Sequence, residues 1–381
     1  MISRGRMINI LLGVTIALLP LYTRISQLDF NRTSKDNLLV IIFGVLCFLM
    51  PERKRSLPTS LLLGLLYCAI GLAFNQWNII SVNVIVLTFY ALSGILFFAN
   101  YYERHTREGI AHILTGMKAG ALIQAILIFF NYFGMNIYFD FVCWITGSSY
   151  YSINIDRTDN LVGSLGNTNL IASYLALTSL AFLESKNRKW LIVIPIAATV
   201  LTRSTMGIGS LAAGILYYLN NQTRLFSKLE IFLISSVAMF FAFFMGVVGA
   251  DSGRFEGWSR NFELVTVKHF FFGMGAGWFP DKRILILKEA LLGSEHNAFL
   301  TAFNVFGIAI FLFLIPSIYR FIMKEDKKPV FSAILFAAFI NSYGHFTLNQ
   351  STVAIIIIVA ACICLGDKDN VNNMERERVT D

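Results

Sequence analysis

The sequence predicts an all-α polytopic membrane protein with about 12 transmembrane helices and both termini on the cytoplasmic side. Three observations carry this expectation. Of 381 residues, 56% are hydrophobic and only 14% are charged, whereas soluble domains average about 25% charged. Apolar runs approaching the roughly 20 residues of a bilayer crossing recur from end to end. The short segments that separate them are basic.

Taken in order, the apolar runs place spans near 7–23, 37–50, 57–74, 79–99, 110–132, 168–184, 190–202, 205–219, 230–249, 298–322, 330–348 and 351–365. The first run, Ile8 to Leu21, follows Arg4 and Arg6 as in a signal peptide. No small-residue cleavage site follows it and further spans do, so it reads as a retained anchor. With the N-terminus inside, the cytoplasmic segments hold 19 Lys and Arg. The outer segments hold 11, six of them in one long loop, where the positive-inside rule carries little weight. The net charge of +8 therefore reads as membrane topology and not as a nucleic-acid surface. Lys118 falls within a span.

Residues 1–366 form one transmembrane domain in this reading, and 367–381 a polar, disordered cytoplasmic tail. Two outer, periplasmic segments are long: 136–167, and 251–297 between spans nine and ten. Within the second, Asp281 is a good N-cap and Gly293 a good stop, while Ile284, Leu287, Leu291 and Leu292 fall on one side. That pattern predicts a helix lying in the membrane interface. Four of the five cysteines (Cys47, Cys68, Cys362, Cys364) lie in apolar runs and Cys143 in a loop. An odd count without repeated spacing points to neither a disulfide framework nor a zinc site.

Chemistry concentrates at a few positions. The stretch 189–219 holds two apolar runs around Thr202-Arg203-Ser204-Thr205. Two full crossings need about 40 residues, so this hairpin must turn below the outer surface, with Arg203 at membrane depth. A charge there by default marks function, the competing reading being a side chain that snorkels to headgroups. Gly207, Gly209, Ser210, Ala213 and Gly214 follow, a spacing that means close helix packing. His296 precedes the span that begins at Ala298. The positive end of that helix favours neutral imidazole, the form that accepts a proton. Gly307 lies about three turns on, sharing its face and open to the approach of another helix. Arg254, Trp258 and Arg260 open the second outer loop. Guanidinium groups and an indole suit a diphosphate-sugar ligand, and equally suit an interfacial Arg/Trp belt. Arg157 admits the same two readings. The run Gly273-Met-Gly275-Ala-Gly277 has no βαβ context for a nucleotide site, and the remaining histidines lack metal-ligand spacing.

Together these segments resemble the O-antigen ligase/polymerase superfamily. Arg157 with Gly166-Asn167-Thr168-Asn169-Leu170-Ile171-Ala172-Ser173-Tyr174-Leu175 resembles its R…GNxNxxAxYL block, although Thr168 replaces the usual proline. Thr202-Arg203-Ser204, then Arg254 to Trp258 with Phe272 to Phe279, then Glu295-His296-Asn297-Ala298-Phe299-Leu300 with Gly307, resemble the later blocks in the family's order. The resemblance implies a GT-C-like fold in the bacterial inner membrane with a periplasmic active site. It implies transfer, with inversion and without metal or cofactor, of a glycan from undecaprenyl diphosphate to an acceptor hydroxyl. The acceptor would be lipid A core in a ligase or a second lipid-linked glycan in a polymerase. By position, His296 would be the general base. Arg203 and Arg254 would hold the diphosphate, with Arg157, Arg260, Trp258 and Asn297 as further binding residues. Membrane lipids are the other partners expected, and no nucleic acid. The alternative of another class is a lipid-linked-glycan flippase or transporter, which would show repeat symmetry, interrupted helices and charges along a transmembrane path.

Overall fold

The computed structural model describes residues 4–27, 106–147, 161–185, 187–250, 266–273, 299–300, 303, 307–308, 311, 328–343 and 351–365. All regular structure among them is helical. The helices are α1 (Arg4–Gln27), α2 (Thr106–Tyr132), α3 (Ile137–Thr146), α4 (Thr168–Ser179), α5 (Val193–Leu201), α6 (Thr205–Thr223), α7 (Lys228–Ala250), α8 (Val267–Phe272), α9 (Pro329–Asn341) and α10 (Ser351–Leu365). Two 3₁₀ turns, Leu180–Glu184 and Lys189–Ile192, extend α4 and lead into α5. Among the described residues one helix, over Gly109–Tyr132, is long and apolar enough to cross a membrane. Ile10–Leu21, Thr168–Glu184, Lys189–Leu201 and Pro329–Asn341 are shorter apolar helices.

Among the described helices α4 is the central one. Every residue from Leu170 to Ser179 is buried, as suits a helix apolar on all sides, and α2, α5, α6, α9 and α10 all pack on it. Small residues set how closely its neighbours approach. At the crossing of α1 and α2, a side chain on Gly116 would collide with the Gly13 carbonyl, and one on Gly13 would lie 2.7 Å from the His112 carbonyl oxygen. The stripe on α6 works in three directions. Gly207 sits 2.5 Å, measured from an added Cβ, from Ala172 of α4; Gly209 faces Met239 of α7; Gly214 abuts Leu180 and Ala337. The close packing expected of these residues is thus present, distributed over three partners.

Residues 190–219 are not one long helix: α5 ends at Leu201 and α6 begins at Thr205, after a turn at Thr202-Arg203-Ser204. α5 is only nine residues long, about 14 Å at 1.5 Å per residue. Two expectations need correction. The segment near 298–322 is not one uninterrupted helix. Gly307 has a left-handed φ of 71°, and the Ile308 N–H leaves the helical pattern to donate to the Phe270 carbonyl at 2.7 Å. A glycine permits that conformation without steric cost, and here the break serves a backbone-to-backbone contact with α8. Cys143 lies not in a loop but on α3, where it packs at the edge of a small cluster of Tyr138, Phe139, Val142 and Val162. The interfacial helix expected at 281–293 lies outside the described residues.

Candidate functional site

The site is built from α2 upward. Its two buried amides hold the turn that leads into α4. The Gln124 Oε1 accepts from the Ser164 N–H and hydroxyl, both at 3.0 Å. The Asn131 Oδ1 accepts from the Gly163 N–H at 3.0 Å, and its amide donates to the Asn136 Oδ1 at 2.9 Å. Gly163 and Gly166 both take left-handed φ values, 52° and 69°, which glycine allows cheaply. Asn167 then caps α4, its Oδ1 accepting from the Asn169 and Leu170 N–H groups at 2.9 and 3.1 Å.

Asn169, the second residue of α4, carries the link to the Arg203 turn. Its Oδ1 accepts from the Ser204 hydroxyl at 2.8 Å. Ser204 is the N-cap of α6, where its Oγ accepts from the Gly207 N–H at 3.3 Å. The N-terminal ends of α4 and α6 therefore lie side by side. Each end carries the partial positive charge of its helix dipole, part of it taken up by the Asn167 and Ser204 caps, so this end of the bundle still favours an anion.

Beneath the turn the polar contacts continue inward. The Ser173 hydroxyl donates towards the Asn169 carbonyl (2.8 Å) and the Asn341 Oδ1 (3.0 Å). The fully buried Asn341 amide donates to the Ser210 hydroxyl at 3.1 Å and the Met206 carbonyl at 3.4 Å. One asparagine at the end of α9 thus ties α4 to α6. Thr202 closes the turn by donating to the Thr199 carbonyl at 2.6 Å and accepting from the Ser204 N–H at 3.3 Å.

Arg203 stands on this platform. Its side chain is exposed, its φ is 56°, and its N–H donates to the Val200 carbonyl at 3.0 Å. Left-handed backbone is uncommon for a residue with a side chain. It does not by itself single Arg203 out, because Arg224, an ordinary helix cap at the far end of α6, shares it with φ 53°. What distinguishes Arg203 is its place next to Ser204, whose hydroxyl caps α6 and bonds Asn169 at the N-terminus of α4.

Of the residues selected from sequence, Arg203 is described; His296, Asn297, Arg157, Arg254, Trp258 and Arg260 lie outside the described residues. Gly307, expected to admit a close neighbour, does so: a side chain there would meet the Phe271 carbonyl and come within 2.7 Å of the Gly273 nitrogen. Sequence reasoning did not select Asn169 or Asn341 as site residues. The signal available for both was an asparagine at the end of an apolar run, where an unpaired amide is costly. Comparison with family models, with characterised proteins and with solved structures returns no match for this chain.

Proposed function

We propose that this protein is an inverting, metal-independent glycosyltransferase of the O-antigen ligase type, a multi-pass inner-membrane enzyme with about 12 spans, N-in and C-in. It transfers a glycan from undecaprenyl diphosphate to a hydroxyl of lipid A core at the periplasmic face. The observation that carries the reading is the Arg203 turn, an exposed guanidinium beside the adjoining N-termini of α4 and α6. The two helices it joins to are those bearing the GNxN-like and TRS segments, which supports treating these as parts of one site. The shortness of α5 agrees with a turn set below the membrane surface.

In the proposed reaction the acceptor oxygen attacks the anomeric carbon from the face opposite the diphosphate. The new glycosidic C–O bond forms as the carbon–oxygen bond to the lipid diphosphate breaks, and the configuration inverts. His296 takes the hydroxyl proton, a role worth about 10²–10⁴-fold for a positioned base. The departing undecaprenyl diphosphate keeps the bonding electron pair, and Arg203 and Arg254 offset its charge. Fixed guanidinium groups beside low-dielectric surroundings stabilise such charge strongly.

A transporter reading has one observation of its own, the helix break at Gly307, since interrupted helices are common at transporter sites. Deleting the gene and resolving the lipopolysaccharide separates the readings. A ligase leaves core without O-antigen while lipid-linked polymer accumulates. A polymerase of the same family leaves single repeats on core. Loss of O-antigen with lipid-linked repeats retained in the cytoplasmic leaflet identifies a transporter.

A further inference from the structure

α3 occupies a stretch of chain that is no span, yet one of its faces is apolar and uncovered. Ile137, Phe141 and Trp144 recur at helical spacing on that face with Ile145 beside them, all exposed, Trp144 to 79%. The Phe141 and Trp144 rings pack together with centroids 6.3 Å apart. The opposite face, Tyr138, Phe139 and Val142, is buried against Leu21 and Leu127. Leu127 lies five residues before the end of α2, about 7.5 Å down its axis. The Tyr138 hydroxyl donates to the Leu21 carbonyl of α1. α3 therefore folds back beside the ends of α1 and α2 and does not project beyond them. α2 exposes apolar side chains as well: Ile126 and Phe130, one turn apart, with Phe133 just past the helix end.

Resting on the membrane reading above, we infer that α3 lies flat in the headgroup–acyl boundary of the outer leaflet, with Phe141 and Trp144 turned into lipid. A tryptophan and a phenylalanine facing outward suit that layer, and Asp140 at the edge of the face marks its wet side. α3 carries no Lys or Arg. Interfacial helices usually add attraction between basic side chains and anionic lipid; this one relies on apolar area alone. Its seating is therefore independent of the anionic lipid fraction.

The test uses the full-length protein in phosphatidylcholine vesicles. Trp144 fluorescence is read as the difference between the wild type and Trp144→Phe, a change small enough to keep the fold. The quenchers are lipids brominated near the headgroup end or near the methyl end of the acyl chain, and aqueous acrylamide. The shallow bromines quench the Trp144 signal at least about twofold more than the deep ones, as burial of roughly 5–10 Å requires. Adding anionic lipid leaves that ratio unchanged. Quenching by acrylamide alone, or by none of the three, overturns the inference; the latter outcome means that protein covers the face. A shift on adding anionic lipid also overturns it. Leu122→Trp, one turn deeper than Ile126 on the same face of α2 and placed on the Trp144→Phe background, reports on the span itself. If it is quenched by deep bromines while Trp144 is not, the α3 inference alone fails. If neither is quenched, the membrane reading fails with it.

Discussion

Arg203 occupies a backbone conformation that costs an L-residue roughly 1–2 kcal/mol, at a turn where glycine would fit freely. Arg203→Gly should therefore raise thermal stability, by about 0.5–1 kcal/mol after glycine's greater unfolded-chain entropy is counted, while glycan transfer is lost. Arg203→Lys should keep stability and recover only part of the activity, because an ammonium cannot make the bidentate phosphate contact. Unfolding curves and transfer rates on the same preparations check both. A variant with glycine here that stays fully active would remove Arg203 from the site. Gly307 is the opposite case, since it is left-handed with φ 71° and pressed against the backbone of Phe271 and Gly273. Gly307→Ala should cost about 2–4 kcal/mol from strain and overpacking together, read as a fall in the unfolding midpoint. This break was not legible from sequence. No proline marks it, and the glycine's partner, Phe270, lies far away in the chain.

At the scale of elements, α4, α6 and α9 are held in register by one buried side chain. Asn341→Ala would leave the Ser210 hydroxyl and the Met206 carbonyl without that donor and the Ser173 hydroxyl without one of its two acceptors. The expected loss is about 1–3 kcal/mol, together with reduced activity because the Arg203 turn loses its support. Unfolding measurements alongside transfer assays read the two effects. At the start of α7 the chain forms a capping box. The Ser227 N–H and hydroxyl donate to the Glu230 carboxylate at 2.7 and 2.9 Å, and the Ser227 Oγ accepts from the Glu230 N–H at 3.2 Å. Those hydrogen bonds hold the Glu230 carboxyl below its usual pKa, the backbone one contributing most. A depressed carboxyl contributes stability above its unfolded pKa and loses it as pH falls through the folded one. The stability difference between wild type and Glu230→Gln should thus be present at neutral pH and vanish on acidification below the ordinary carboxylate range. A difference that persists there would assign the effect to something other than this charge.

The sequence made some of these elements readable and concealed others for physical reasons. The helix break at Thr202–Ser204 within 190–219 followed from length and polarity, since about 30 residues cannot make two full crossings and the polar turn residues divide the two apolar runs. The role of Gly207, Gly209 and Gly214 followed from spacing. α3 did not, because its ten residues are too few for a span and Asp140 interrupts their apolar pattern. The Asn169–Ser204 and Ser173–Asn341 links join residues 35 and 168 positions apart, which no local pattern reveals. Of the selected site residues only Arg203 can be compared with the structure, and there the surrounding network, not the arginine itself, was the part that sequence left out.

For the whole molecule the central claim is that an acceptor hydroxyl and an undecaprenyl-diphosphate glycan meet at the outer face and exchange a glycosidic bond. Charge placement in the sequence, the short α5 with its turn at Arg203, and the two adjoining helix N-termini support it from different directions. The most direct measurement is reconstitution of purified full-length protein in vesicles with lipid-linked glycan donor and lipid A core, in EDTA, following product by mass. The account predicts core extended by the glycan, release of undecaprenyl diphosphate, and loss of product in His296→Ala with donor binding retained. Donor that changes leaflet with no new glycosidic bond, or His296→Ala protein that transfers at the wild-type rate, would contradict it.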